Sequence, residues 1–157
     1  MSDVIDRFAW KEDGLWHHGP LSNGHLEPDG SFVEREYQAY SKTTDPAARA
    51  VILACTQPFG PHGSKAAGWA VALRPDHDHV KFQVMAHFVA AKFRDHPSLA
   101  DVLRDTGQAL LIEGNNWHDN TWGNCHCGRP TCAAPGLNWL GLLLMSVRAT
   151  LPLERSS

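Results

Sequence analysis

Residues 113–141 read EGNNWHDNTWGNCHCGRPTCAAPGLNWLG. The stretch holds three of the six Trp, three of the four Cys, two His and a single Asp, with almost no aliphatic residue before Leu137. A segment so poor in Val, Ile and Leu has little to bury, so it cannot be an ordinary core element. Gly114, Gly123, Gly128, Pro130, Pro135 and Gly136 predict a long irregular loop instead. Loops beyond about 12–15 residues inside compact domains are usually functional or disordered. Trp117, Trp122 and Trp139 argue against disorder, because each is a large apolar anchor that can tie the loop to the body. The loop is the leading candidate for a site.

Working outward, 157 residues suit one domain with a real core. Apolar residues make up 43% and charged residues 20%, ordinary for a globular protein. The net charge of −3 gives no general field toward nucleic acid or membrane, though a local basic groove remains compatible with it. No apolar run approaches 18 residues, so no membrane partner is expected. The start, MSDVIDRFAWKEDG, is acidic and lacks the apolar centre of a signal peptide. A cytoplasmic, reducing location is therefore expected, with the cysteines as thiols or ligands rather than disulfides.

Residues 1–24 show little periodicity and predict an irregular or short-strand lead-in held by Phe8, Trp10, Leu15 and Trp16. Leu21-Ser22-Asn23-Gly24 and Pro28-Asp29-Gly30 read as turns, placing a short strand at 31–33. From Glu34 a helix begins, with Glu34, Tyr37, Gln38 and Ser41 on one face; the pattern favours this stripe as the solvated side. Asp45-Pro46 starts the next helix as N-cap and first residue, running to Cys55. Residues 56–78, punctuated by Pro and Gly, predict a second long connection that presents Lys65, Trp69 and Arg74. Residues 79–94 give the clearest helical stripe, with Val80, Val84, Phe88 and Ala91. Ser98 and Asp101 predict a capping box for a helix that Gly107 ends. Residues 109–112 fit a buried strand, and 138–151 a terminal helix with Leu140, Leu143, Leu144, Val147 and Leu151 inward.

Cys125, Cys127 and Cys132 with His126 spell C-H-C-x4-C. Zinc favours such donors, yet the spacing is not a C-x2-4-C pair and a fourth ligand has to come from elsewhere. The expectation is a loop of free thiols and no metal. Cys55 reads as a small core residue. No G-x-S-x-G elbow, phosphate loop or G-x-G-x-x-G is present. Two carboxylates remain of interest. Asp119 lies between Trp117 and Trp122, and Glu34 opens the polar helix face. Cleaving a glycosidic bond needs a carboxylate to activate water or to stabilise an oxocarbenium-like transition state. Asp119 as an Asx-turn residue and Glu34 as a helix-start charge are equally open on residues alone.

From about Leu21 to Leu151 the chain resembles the NADAR (YbiA-like) family of N-glycosidases. Leu21-Ser22-Asn23, Glu34-Arg35-Glu36-Tyr37-Gln38-Ala39, Thr56-x-Pro58 with Lys65-Ala66-Ala67-Gly68, and Leu73-Arg74-Pro75-Asp76 match its motifs in order. Val84-Met85 with Ala91-Lys92-Phe93, Thr106-Gly107, Leu111-x-Glu113, Asp119-x2-Trp122-Gly123 and Gly136-x-Asn138-x-Leu140-Gly141 continue the match. Arg35, Ser41 (with Lys42 beside it) and His77 stand where the family pattern has His, Lys and Trp.

The resemblance implies an α+β, predominantly helical fold: a single compact YbiA-like domain with a few short strands and long cleft-forming loops. It would span 21–152, after a lead-in at 1–20 and before a frayed tail at 153–157. The implied cleft is lined by the 33–42 helix and the 56–78 and 113–138 loops. Implied too is hydrolysis of the bond between ribose and a nitrogen base, with no cofactor. Candidate substrates are ribosylaminopyrimidine phosphates of early riboflavin synthesis, or ADP-ribosylated guanine in nucleic acid. Glu34 and Asp119 become the expected catalytic pair. Asn23, Gln38, Lys42, Lys65, Arg74, Lys92, Trp122, Gly123 and Asn138 become expected substrate contacts, with Trp122 as an aromatic wall and Lys65, Arg74 and Lys92 toward phosphates. The rival expectation is a non-catalytic reader of ADP-ribose or nucleotide.

Overall fold

A computed structural model describes residues 3–8, 11, 12, 15, 16 and 18–153. The chain forms two compact units: Asn23–His96, and the segment up to Ser22 together with Pro97 onward. Among the described residues there are six α-helices and six strands of only two or three residues, so the architecture is predominantly helical α+β. No helix of the described residues is long and apolar enough to cross a membrane.

The Asn23–His96 unit is helical throughout. Helix α1 (Val33–Lys42) packs against α2 (Pro46–Leu53), α3 (Ser64–Ala70) and α4 (His77–Asp95). Phe32, Val33, Tyr37, Ala39, Ile52, Met85, Val89 and Phe93 are buried here. Phe32 is the extended residue before α1, and Val33 is already helical, so the strand expected at 31–33 does not form. The backbone carbonyl of Asn23 accepts from Glu34 N at 2.9 Å, satisfying one of the donors that a helix start leaves unpaired. At α2 the carboxylate of Asp45 accepts from Ala48 N at 2.8 Å, the N-cap that the Asp-Pro pair predicts. The helix ends at Leu53, and Cys55 is half-exposed rather than a core residue.

Two further expectations fail in this unit. The connection 56–78 contains α3, because Ser64–Ala67 are compatible with helix despite the flanking glycines. Gly68 sits inside α3 for a packing reason: a Cβ there would meet Gln38 Oε1 at 2.2 Å. The second failure is larger. Glu34, Tyr37, Gln38 and Ser41 are 8%, 6%, 3% and 0% exposed, so the polar stripe of α1 faces inward rather than toward solvent.

In the other unit, β1 (Val4–Asp6) pairs in parallel with β4 (Leu110–Ile112), while β2 (Lys11–Glu12) and β3 (Leu15–Trp16) form a short antiparallel pair. Phe8 is fully buried; Trp10 and the side chains of Leu15 and Trp16 lie outside the described residues, as does the tail beyond Leu153. A 3-10 turn (Gly19–Leu21) packs on α5 (Pro97–Asp105), and α6 (Trp139–Thr150) packs on α5 and β4. The helix α5 begins at Pro97, and the Asp101 carboxylate pairs with Arg104. Leu99, Leu103, Leu111, Leu140, Leu143 and Leu144 are buried. The 113–138 segment is a loop interrupted by β5 (Gly114–Asn115), which pairs in parallel with β6 (Asn124–Cys125), and by a 3-10 turn at Pro130–Cys132.

Candidate functional site

In the Asn23–His96 unit the candidate groups gather on α1. Gln38 Nε2 donates to Glu34 Oε1 at 2.8 Å, one helical turn apart, with both side chains buried. A carboxylate out of water is costly unless donors meet it, and Gln38 is one such donor. Gln38 Oε1 and Ser41 Oγ are buried without a hydrogen-bond partner among the described residues. Buried polar atoms of that kind need an explanation, and an unseen water or ligand is the usual one. Burial holds the Lys42 ammonium below the ordinary lysine range; Glu34 opposes that shift, whereas Lys81 and Lys65 add to it. Groups of both signs therefore act at the end of α1, with Asp78 on the side of Glu34.

Lys65 also has exposed aromatics beside it, its Nζ lying 5.6 Å from the ring centroid of Trp69 and 6.0 Å from that of Phe59. Arg74 is committed within the fold: it makes a two-pronged pair with Asp76 at 2.6 and 2.8 Å, and its Nη1 donates to Tyr40 O. Lys92 is only 2% exposed and acts on Glu27 and His25. Burial first, then Lys92, holds His25 below its ordinary range. Burial raises the Glu27 carboxyl, partly offset by Lys92 and by His96, whose Nε2 is 3.2 Å from Glu27 Oε1. Asn23 Nδ2 lies 3.3 Å from Met85 Sδ. Glu34, Gln38, Lys42 and Lys65 act on one another along this face, while Arg74 is held by Asp76.

In the second unit Asp119 Oδ1 accepts from Thr121 N at 3.0 Å and from Trp122 N at 2.9 Å. This is an Asx turn, the structural alternative that the sequence leaves open. It ties Asp119 to Trp122, whose ring meets Trp139 edge-on at 5.6 Å between centroids. Trp117, in contrast, is 55% exposed. Gly123 is required by close packing, since a Cβ there would lie 2.0 Å from Glu113 O. Asn138 takes the left-handed backbone at φ 52° before α6. Its Oδ1 accepts from Glu113 N at 3.0 Å and its Nδ2 donates to Leu111 O at 2.8 Å. Asn138 thus fastens β4 to the start of α6.

Sequence reasoning missed Asn115, which is 2% exposed and organises the loop from inside. Its Nδ2 donates to Asp119 O at 2.7 Å, while its Oδ1 accepts from Trp117 N and Asp119 N. An Asn beside Gly114 in a turn-rich segment carries no signal separating this role from an ordinary loop residue. Also missed is His118, whose Nδ1 lies 3.4 Å from Sγ of both Cys127 and Cys132. Glu34 and Asp119 belong to different units.

A helical α+β chain that buries a Glu-Gln pair on its first long helix, and carries an Asp-x-x-Trp-Gly turn before its last, has recognisable relatives. The NADAR domain family model matches residues 31–152. N-glycosidase YbiA of Shigella flexneri serotype 5b is 37% identical over 165 residues, covering 99% of this chain and 93% of that protein. The NMR structure of the E. coli protein YbiA aligns with a TM-score of 0.71 at 30% identity, over 95% of this chain and 85% of that one. N-glycosidase Npun_R5314 of Nostoc punctiforme is 46% identical over 76 residues, 48% of this chain but 44% of that protein. Riboflavin biosynthesis protein PYRR of Zea mays is 30% identical over 125 residues, 74% of this chain but 19% of that protein. The chain therefore matches less than half the length of these last two relatives. It belongs to the NADAR domain family.

Proposed function

We propose that this protein is a hydrolase of N-glycosyl bonds, releasing a nitrogen base from the ribose of a phosphorylated or ADP-linked nucleotide. The observation that carries the reading is the buried polar face of α1, where Glu34 is held by Gln38. N-glycosyl cleavage builds positive charge on the ribose ring as the base departs. A carboxylate in low-dielectric surroundings stabilises that charge far better than one in water. Gln38 Oε1 and Ser41 Oγ, buried without partners among the described residues, suit the hydroxyl and amino groups of such a substrate or the attacking water. Lys42 and Lys65 suit its phosphates, and the exposed rings of Trp69 and Phe59 suit a planar base. Relatives named N-glycosidase YbiA and Npun_R5314 support the reaction class, and the riboflavin-synthesis relative supports a nucleotide-type substrate. Separately, we propose a catalytic role for Asp119, whose Oδ1 accepts from the amides of Thr121 and Trp122.

The test is turnover on a small panel: ribosylaminopyrimidine phosphates and ADP-ribosylated guanosine, alone and within DNA or RNA, with base release followed by chromatography. Release from at least one, abolished in Glu34→Gln, is expected. Tight binding of ADP-ribose with no base released from any of them would favour a non-catalytic reader and overturn the proposal.

A further inference from the structure

We propose that His118, Cys125, Cys127 and Cys132 form a structural zinc site that holds the 113–138 loop. The inference is independent of the glycosidase reading. The four ligand atoms, one from each residue, all lie within 4.8 Å of one another. A tetrahedral zinc with Zn–S near 2.3 Å and Zn–N near 2.0–2.1 Å would set S···N separations at roughly 3.6 Å and S···S at roughly 3.8 Å. His118 Nδ1 stands 3.4 Å from Cys127 Sγ and 3.4 Å from Cys132 Sγ, two edges of such a tetrahedron. Three thiolates and one imidazole are among the donor sets that close a structural site, leaving no open position for a reacting water.

The backbone around the cluster is arranged for it. His118 is one of three non-glycine residues with positive φ among the described residues, at 68°. A residue in that region is held there by its surroundings, and such outliers gather at functional positions. The chain reverses between Cys127 and Cys132 through Gly128, at φ 78°, where glycine adopts the left-handed region freely. Asn120 supports the ligands twice. Its Nδ2 donates toward Cys132 Sγ at 3.4 Å, and its Oδ1 accepts from Cys125 N at 3.0 Å. Outer hydrogen bonds of this kind orient metal ligands.

The tip of the loop, beyond the β5–β6 pairing and the Asp119 turn, carries little apolar cover. Residues 128–131 and 133–135 are exposed, and Cys125 supplies most of the cluster's burial. An ion bridging residues 118 and 132 would pin this exposed tip to buried Cys125. It would also fix the backbone of Asp119, adjacent to His118, without touching substrate. The sequence expectation of free thiols rested on spacing. His118 lies seven positions before Cys125, outside the C-x2-4-C window, and the fold brings it to the sulfurs.

The full chain, made in reducing medium without added metal and purified without metal-chelate resin, would be analysed by inductively coupled plasma mass spectrometry. About one zinc per chain is expected. Replacing it with Co²⁺ should give the visible absorption of a tetrahedral cobalt thiolate. His118→Ala and Cys127→Ser should each weaken zinc binding by more than the roughly 10–100-fold that loss of an outer hydrogen-bond partner costs. Should those variants fold poorly, the wild-type chain treated with chelator should lose melting temperature and regain it on adding zinc. Three rapidly titrating thiols in the folded, metal-free protein at full melting temperature would overturn the site. So would a disulfide within the cluster by mass spectrometry, or zinc retained undiminished in both variants.

Discussion

Gln38 Nε2 donates to Glu34 Oε1 at 2.8 Å across one turn of α1, and neither side chain is more than 8% exposed. Gln38 meets the carboxylate with a neutral donor, and the proposed reaction asks for negative charge at this position. Removing the charge while keeping the shape separates chemistry from packing. Glu34→Gln should lower kcat by roughly 10²–10⁴-fold while ADP-ribose affinity is kept or slightly tightened. Single-turnover kinetics beside a calorimetric Kd would check this; retained turnover would remove Glu34 from the reaction.

Gly68 lies against this pair. Gly68→Ala would place a Cβ 2.2 Å from Gln38 Oε1 and 3.0 Å from Gln38 Cβ, so the Gln38 side chain has to move. Overpacking costs about 1–3 kcal/mol, and better helix propensity returns at most about 1 kcal/mol. We expect a lower urea midpoint and a drop in kcat, because Gln38 no longer meets Glu34. Unchanged stability with unchanged rate would show that the pair tolerates displacement.

Asp119 can be tested without breaking its turn. Asparagine retains an acceptor for Thr121 N and Trp122 N, so Asp119→Asn should leave the melting temperature nearly unchanged while kcat falls roughly 10²–10⁴-fold. Asp119→Ala removes the acceptor as well and should also lower stability. Near-full turnover in the Asn variant would leave Asp119 with the turn alone.

Lys42 supplies a pH signature. Burial holds its ammonium below the ordinary lysine range, so raising pH discharges it earlier than a solvated lysine. Anion binding that needs the charged form is complete below the lowered pKa and lost as pH rises through it. Lys42→Arg, which stays charged, should hold ADP-ribose affinity to higher pH than wild type in titrations from pH 7 to 10. Superimposable pH profiles would exclude Lys42 from the anion site.

Asn138 should behave as a fastening rather than a substrate contact. Asn138→Ala removes two hydrogen bonds, to Glu113 N and Leu111 O, and places Ala at a positive φ. At about 0.5–1.5 kcal/mol per bond plus backbone strain, a clear fall in melting temperature is expected. A selective rise in KM at unchanged stability would instead return Asn138 to the substrate.

Local chemistry written in neighbouring residues was legible in the chain. The Asp45-Pro46 cap, the helix read over 79–94 and observed over His77–Asp95, the strand read over 109–112 and observed over Leu110–Ile112, and the terminal helix follow from patterns read within a dozen residues. The turn chemistry of Asp119, left open with catalysis, is equally local. What the sequence could not decide is which face of an element is covered. Glu34, Gln38 and Ser41 look like a solvated stripe because polarity in a sequence signals exposure. Only the packing of α2, α3 and α4 around α1 shows that stripe to be enclosed. The same limit applies at Cys125, Cys127 and Cys132. Spacing rules see donors that are close along the chain, whereas the turn at Asp119 and the reversal at Gly128 bring His118, Cys127 and Cys132 together through space. Periodicity and capping are short-range properties of the backbone; burial and donor convergence depend on contacts that exist only once the chain has folded.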